Sequence, residues 1–274
     1  MSDVIEKYER AQKQAVADFD DLGVYGYAGE MYSVIKKLLA EIENEPRGFE
    51  HAFLSVEYAQ LDIEGRIYAG AKKYALAAYD DLPNAEASDE TKQLLFHAVK
   101  IIVTSCNELD DWSGVDQLEV TRLNYELSKE YPSPQFISSE SAPIIYYADA
   151  LLNVDQLSEH EELRRTLFDE LDKLERLSKR DDIVSVASAR KLKRILTAFG
   201  EPKLAQEIYE RILLHKVEAL RDNIDNGEDS DVREWNLRQA DFAIELLKEL
   251  GRNKDVKRWE RRRELIEKPW KRLP

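Results

Sequence analysis

Apolar residues recur at steps of three and four along almost the whole chain, and this spacing restricts the fold more than any other feature. Ile5, Tyr8, Ala11, Ala15, Phe19 and Leu22 form one stripe, and Met31, Ile35, Leu38 and Ile42 form a second. Leu163, Leu167, Leu171 and Leu174 make a third, and Leu204, Ile208 and Ile212 a fourth. Such steps place side chains on one face of an α-helix, so each stripe reads as the packed face of an amphipathic helix. No run of β-branched residues alternates with polar ones over the length of a strand. The expected fold class is all-α.

Breakers divide this pattern at regular places. Pro46, Pro83, Pro132, Pro134 and Pro143 stand between the longer stretches, where a missing backbone N–H does least harm. The result is about six antiparallel helix pairs, over 3–44, 48–82, 88–131, 138–179, 181–226 and 229–268. Turns within the pairs are expected near Gly23–Gly26, Gly65, Asp111–Gly114, Asn153–Ser158, Gly200 and Gly251.

The joints carry a repeat. Gly23, Ala28 and Tyr32 are spaced like Gly65, Gly70 and Tyr74, and like Gly200, Ala205 and Tyr209. Here glycine permits the turn, the small residue allows close approach of two helices, and tyrosine fills the groove between neighbours. The pattern resembles the tetratricopeptide-type (TPR-like) helical repeats. The resemblance implies a right-handed α-solenoid, one helical-repeat domain over 1–274, with 252–274 as a basic capping segment. The period departs from that family, at roughly 40–50 residues against about 34. The third pair has Asp110, Val115 and Glu119 at the motif positions, with Trp112 available to pack there, and the sixth keeps only Gly251.

A formal charge of −15 argues against coating by nucleic acid, which needs a net-positive face. Cys106 is the only cysteine, so no intramolecular disulfide forms and a reducing, cytoplasmic setting is expected. No basic-then-apolar leader is visible after Met1, and no stretch is apolar enough to span a membrane.

Catalytic constellations are sparse. His51, His97, His160 and His215 are scattered, without the spacing of zinc or di-iron ligands. No metal or other cofactor is expected. Asp80-Asp81-Leu82-Pro83-Asn84-Ala85-Glu86 resembles the first aspartate-rich motif of isoprenoid diphosphate synthases, which hold Mg²⁺ against a diphosphate. Its partner motif is incomplete: Asp181-Asp182 and Ser185 are followed by Ala189 where a glutamate belongs. Asp80 and Asp81 therefore read as a helix end stopped by Pro83. Asp20-Asp21 and Asp110-Asp111 read as turn or capping pairs.

A helical array without catalytic residues points to a scaffold that binds another protein or peptide segment in a concave groove. If the first helix of each pair faces inward, as the resemblance implies, the groove presents Arg10, Lys13, His97, Lys100, Thr104, Asn107, Arg190, Arg194, Thr197 and Arg238, together with the acidic Asp241 and Glu245. That set is partly basic, which favours an acidic segment as partner. Arg190 and Arg194 share one helical face with Lys193 beside them, while Ile183, Ala187, Leu192, Ile195 and Phe199 are expected on the packed side. Residues 252–272 hold ten Lys or Arg against four Asp or Glu. Arg258, Arg261, Arg262, Arg263 and Lys268 there lie close to Trp259 and Trp270. This segment reads as the cap of the array; the alternatives are a nucleic-acid-associated adaptor and the Mg²⁺-dependent isoprenoid enzyme.

Overall fold

The computed structural model of the chain describes residues 2–131, 143–178, 186–223 and 230–267. Twelve α-helices and two short 3₁₀ turns make up its regular elements, with no strand among the described residues. The helices fall into two compact units, Met1–Ser133 and Pro134–Pro274, within what the sequence treats as a single domain. The first unit contains α1 (Asp3–Ala17), α2 (Phe19–Glu41), α3 (Phe49–Glu64), α4 (Tyr68–Asp81), α5 (Asp89–Leu109) and α6 (Gln117–Glu130). The second contains α7 (Pro143–Asn153), α8 (Glu161–Ser178), α9 (Val186–Ala198), α10 (Pro202–Asn223), α11 (Ser230–Glu249) and α12 (Asn253–Glu267). Within the units most helices pack on their neighbours in sequence, the pair α8 and α9 excepted, and α3 also packs on α5, α7 on α9 and α8 on α10. This is a helical-repeat-like arrangement.

Local chemistry sets the helix ends. Ser88 and Asp116 accept hydrogen bonds from the backbone N–H groups of Thr91 (3.1 Å) and Glu119 (3.0 Å), satisfying donors with no partner inside α5 and α6. Five of the six turns within pairs close in one way. A left-handed residue follows the helix, and the next N–H reaches the carbonyl five residues back. The left-handed residues are Arg66, Asp110, Asp155, Gly200 and Gly251. The closing bonds run from Ile67 to Asp62 (2.7 Å), Asp111 to Cys106 (3.0 Å), Gln156 to Leu151 (3.0 Å), Glu201 to Leu196 (3.0 Å) and Arg252 to Leu247 (2.9 Å).

The glycine reading needs correction at two joints. Gly65 sits in the ordinary right-handed region at φ −78°, and Arg66 takes the left-handed position at φ 57°. Gly23 and Gly26 lie inside α2, because the chain breaks at Asp18, where α1 ends. Glycine in a helix interior costs only about 1 kcal/mol, which the packing of a 23-residue helix outweighs. Asp20 and Asp21 therefore fall in the first turn of α2 rather than before a turn.

The stripes pack as their spacing predicts. Ile5, Tyr8 and Ala15 are buried on α1, and Met31, Ile35 and Leu38 on α2 with Ile42 just after it; most join Leu54, Tyr58 and Leu61 of α3 in one core. In the second unit Leu163, Leu167, Leu171, Ala205, Ile208 and Ile212 are buried. Fully burying one such large side chain stabilises the fold by about 1.5–3 kcal/mol.

The joint motif has a specific geometry. Gly70 lies so close to Asp62 that a Cβ there would collide with its carboxylate. The other oxygen of that carboxylate accepts the Tyr32 hydroxyl at 2.7 Å. Tyr209 likewise donates its hydroxyl to Glu249. In both cases the motif tyrosine on the second helix of a pair reaches an acid near the end of the following helix. Tyr74 instead packs its ring on Tyr58, with centroids 4.0 Å apart.

Candidate functional site

The cations expected on the inner face of α9 are bound within the second unit. Arg190 donates from Nε (3.3 Å) and Nη2 (2.7 Å) to the two carboxylate oxygens of Glu249 on α11, the bidentate fork that suits guanidinium. That contact raises the Arg190 pKa and holds the Glu249 carboxyl below its ordinary range. Burial and the same carboxylate push the Tyr209 hydroxyl up to about 12. Arg194 donates to Asp149 (3.0 Å) and Asn153 (3.0 Å), and Lys191 to Asp149 (2.6 Å). Asp149 is 1% exposed, so these two cations supply the charge that a buried carboxylate requires. Thr197 turns back to donate to the carbonyl of Lys193 at 2.7 Å. Leu192 and Ile195 are on the packed side and Phe199 is half-buried, but Ala187 is exposed, and Ser188, Ala189 and Leu196 are buried instead. Ile183 lies outside the described residues.

The other residues expected in the groove differ in exposure. In the first unit Arg10 and Lys13 are exposed on α1, whereas Lys100 and Thr104 are buried on α5. Asn107 is half-buried and donates to the Val103 carbonyl at 2.7 Å. Burial, with Lys100 nearby, lowers the His97 pKa. Arg238 of α11 is exposed and pairs one turn back with Glu234 at 2.6 Å.

The basic segment behaves differently. Helix α12 buries Val256 and Trp259 and packs on α11. Arg263 ties it there through Asp241 (2.5 Å), and Arg233 of α11 donates to the carbonyls of Ile266 and Glu267 at its C-terminal end. Lys268 and Trp270 lie outside the described residues. Between α12 and α10 is a cavity of about 360 Å³. Leu214 and Val217 of α10 and Leu247 of α11 line it together with Trp259. Among the described residues its cations are Arg221, Arg252, Arg258 and Arg262, against two carboxylates, Glu218 and Asp255. The Arg262 guanidinium lies 5.4 Å from the Trp259 ring centroid and donates to the Arg221 carbonyl at 3.1 Å. Arg252 approaches Asp255 only to 3.9 Å. Arg258 is exposed and makes no ion pair, hydrogen bond or ring contact among the described residues; nor does exposed Arg261, which does not line the cavity.

The chain matches no known family model and no curated protein. What the cleft can do therefore follows from its chemistry, an apolar interior beneath guanidinium groups that, among the described lining residues, exceed the carboxylates. Such a site attracts an anion that also carries apolar surface.

The aspartate-rich segment has another geometry. Asp81 is buried and pairs with Arg47 at 3.3 Å, while Asp80 is exposed. Asp181, Asp182 and Ser185 lie outside the described residues. Among the described residues no three His, Cys, Asp or Glu side chains stand together to hold a metal ion, and no helix is long and apolar enough to cross a membrane.

Sequence reasoning identified Arg258, Trp259 and Arg262 but missed Leu214, Val217, Glu218, Arg221, Leu247, Arg252 and Asp255. A signal was present. Residues 214, 217, 218 and 221 share one face of α10, and 255, 258, 259 and 262 share one face of α12. Nothing in the linear sequence states that these two faces meet.

Proposed function

We propose that this chain is a non-catalytic interaction scaffold, a TPR-like right-handed α-solenoid that holds an acidic segment of a partner protein. One observation carries the reading: among the described residues the cleft between α10 and α12 is lined by four arginines, in a chain of net charge −15. The internal ion pairs of Arg190 and Arg194 move the proposed binding surface from α9 to this cleft. A cytoplasmic setting fits the single buried thiol of Cys106, whose pKa burial pushes up to about 11.

The test is charge reversal of Arg252 and Arg258 to Glu, with capture of an acidic peptide pool compared against a basic pool. Loss of acidic capture at an unchanged melting temperature supports the reading. Equal capture of both pools by the wild-type chain, or no loss in the variant, refutes it. The cation–π contact of Arg262 with Trp259 favours a second reading, a nucleic-acid-associated adaptor, which predicts salt-dependent retention on an RNA column instead.

A further inference from the structure

The two kinds of lining in the α10–α12 cleft lie at different depths. Leu247 is 1% exposed and Val217 and Trp259 are each 7% exposed, so the apolar side chains form its interior. Arg252 and Arg258 are exposed, so the cations stand at its mouth. A ligand that is only ionic leaves the apolar interior wet, and one that is only apolar leaves the guanidinium groups desolvated without a counter-charge. The volume of about 360 Å³ exceeds what a single carboxylate fills and sits near the lower end of the usual range for ligand sites.

We infer that the cleft takes an apolar side chain of the partner segment with acidic residues directly beside it, a combined acidic and apolar anchor. This inference rests on the scaffold reading and adds the chemistry of the partner. Charge complementarity selects the occupant. Arg252, Arg258 and Arg262 draw carboxylates to the mouth, while the net charge of −15 disfavours the same segment elsewhere on the chain and disfavours nucleic acid generally. Arg258, with no acidic partner among the described residues, is the cation most available to a ligand carboxylate.

The test titrates short synthetic peptides into the full chain by isothermal calorimetry. One peptide has a leucine between paired glutamates, the second replaces the leucine with serine, and the third replaces the glutamates with glutamine. The first peptide is expected to bind in a salt-dependent manner, the second to bind roughly 10–100-fold more weakly, and the third to lose the salt dependence together with most of its affinity. Arg258→Glu should weaken the first peptide by about tenfold or more, with unchanged circular dichroism and melting. Leu214→Gln, at a half-buried wall position, should narrow the gap between the leucine and serine peptides. Equal affinity for those two peptides overturns the combined anchor and leaves the scaffold reading standing. No binding of any peptide, or no effect of Arg258→Glu, overturns both. A single-stranded RNA oligonucleotide that binds more tightly than the first peptide and loses binding in Arg258→Glu overturns both in favour of nucleic acid.

Discussion

Gly70→Ala tests the joint motif at its tightest point. In an isolated helix the change is favourable by about 1 kcal/mol, since alanine has the higher helix propensity. In α4 the new methyl group collides with the Asp62 carboxylate, which is 4% exposed and tied to the Tyr32 hydroxyl at 2.7 Å. Displacing that carboxylate removes a charge-assisted hydrogen bond of about 1.5–3 kcal/mol. The net expectation is destabilisation of about 0.5–2 kcal/mol, or a fall in Tm of a few degrees. The decisive assay repeats the substitution in an Asp62→Ala background, where the obstacle is gone. There Gly70→Ala should stabilise by up to about 1 kcal/mol, so its sign should invert between backgrounds. If urea melts show Gly70→Ala stabilising the wild-type chain, Asp62 moves aside without cost and the proposed role of the small residue is wrong.

Ala205→Leu should overpack a position that is 1% exposed and cost about 1–3 kcal/mol by denaturant melting; an unchanged midpoint contradicts this. Arg66→Gly should stabilise by about 0.5–1 kcal/mol, because relief of left-handed strain of about 1–2 kcal/mol exceeds the added unfolded-state entropy. Burial raises the Glu57 pKa above its ordinary value, although the hydrogen bond from Tyr8 opposes this. Its stabilising contribution is therefore fully present below the unfolded pKa and lost as pH rises through the folded pKa. Glu57→Gln should be the more stable form at about pH 7, and its advantage should shrink on acidification in melts run in parallel; a constant difference excludes this. Arg190→Glu sets two carboxylates against each other at Glu249 and should lower Tm, whereas Arg258→Glu should leave it unchanged. Equal melting of the two variants removes the distinction between an internal tie and a cation with no acidic partner among the described residues.

Periodicity and punctuation determined the helices. A 3.6-residue stripe such as Met31, Ile35, Leu38 and Ile42 has one low-energy solution, a helix with that face buried, whatever lies opposite. The turns at Gly200 and Gly251 were legible because glycine adopts positive φ at little cost. The left-handed positions at Arg66, Asp110 and Asp155 were less so, because there the packing of the flanking helices holds an ordinary residue against its local preference. The break at Asp18 was hidden for the related reason that glycines inside α2 cost less than the packing of that helix supplies.

Charge was legible as composition but not as partnership. The sequence determined that Arg190, Arg194 and Arg258 are cations on helices. Only the tertiary structure decided that Glu249 and Asp149 engage the first two, while Arg258 stands at the mouth of a cleft. Ion pairing depends on separations of a few ångströms between helices tens of residues apart in the chain. An α-helix records in its sequence which face is polar, not which neighbouring helix that face will meet.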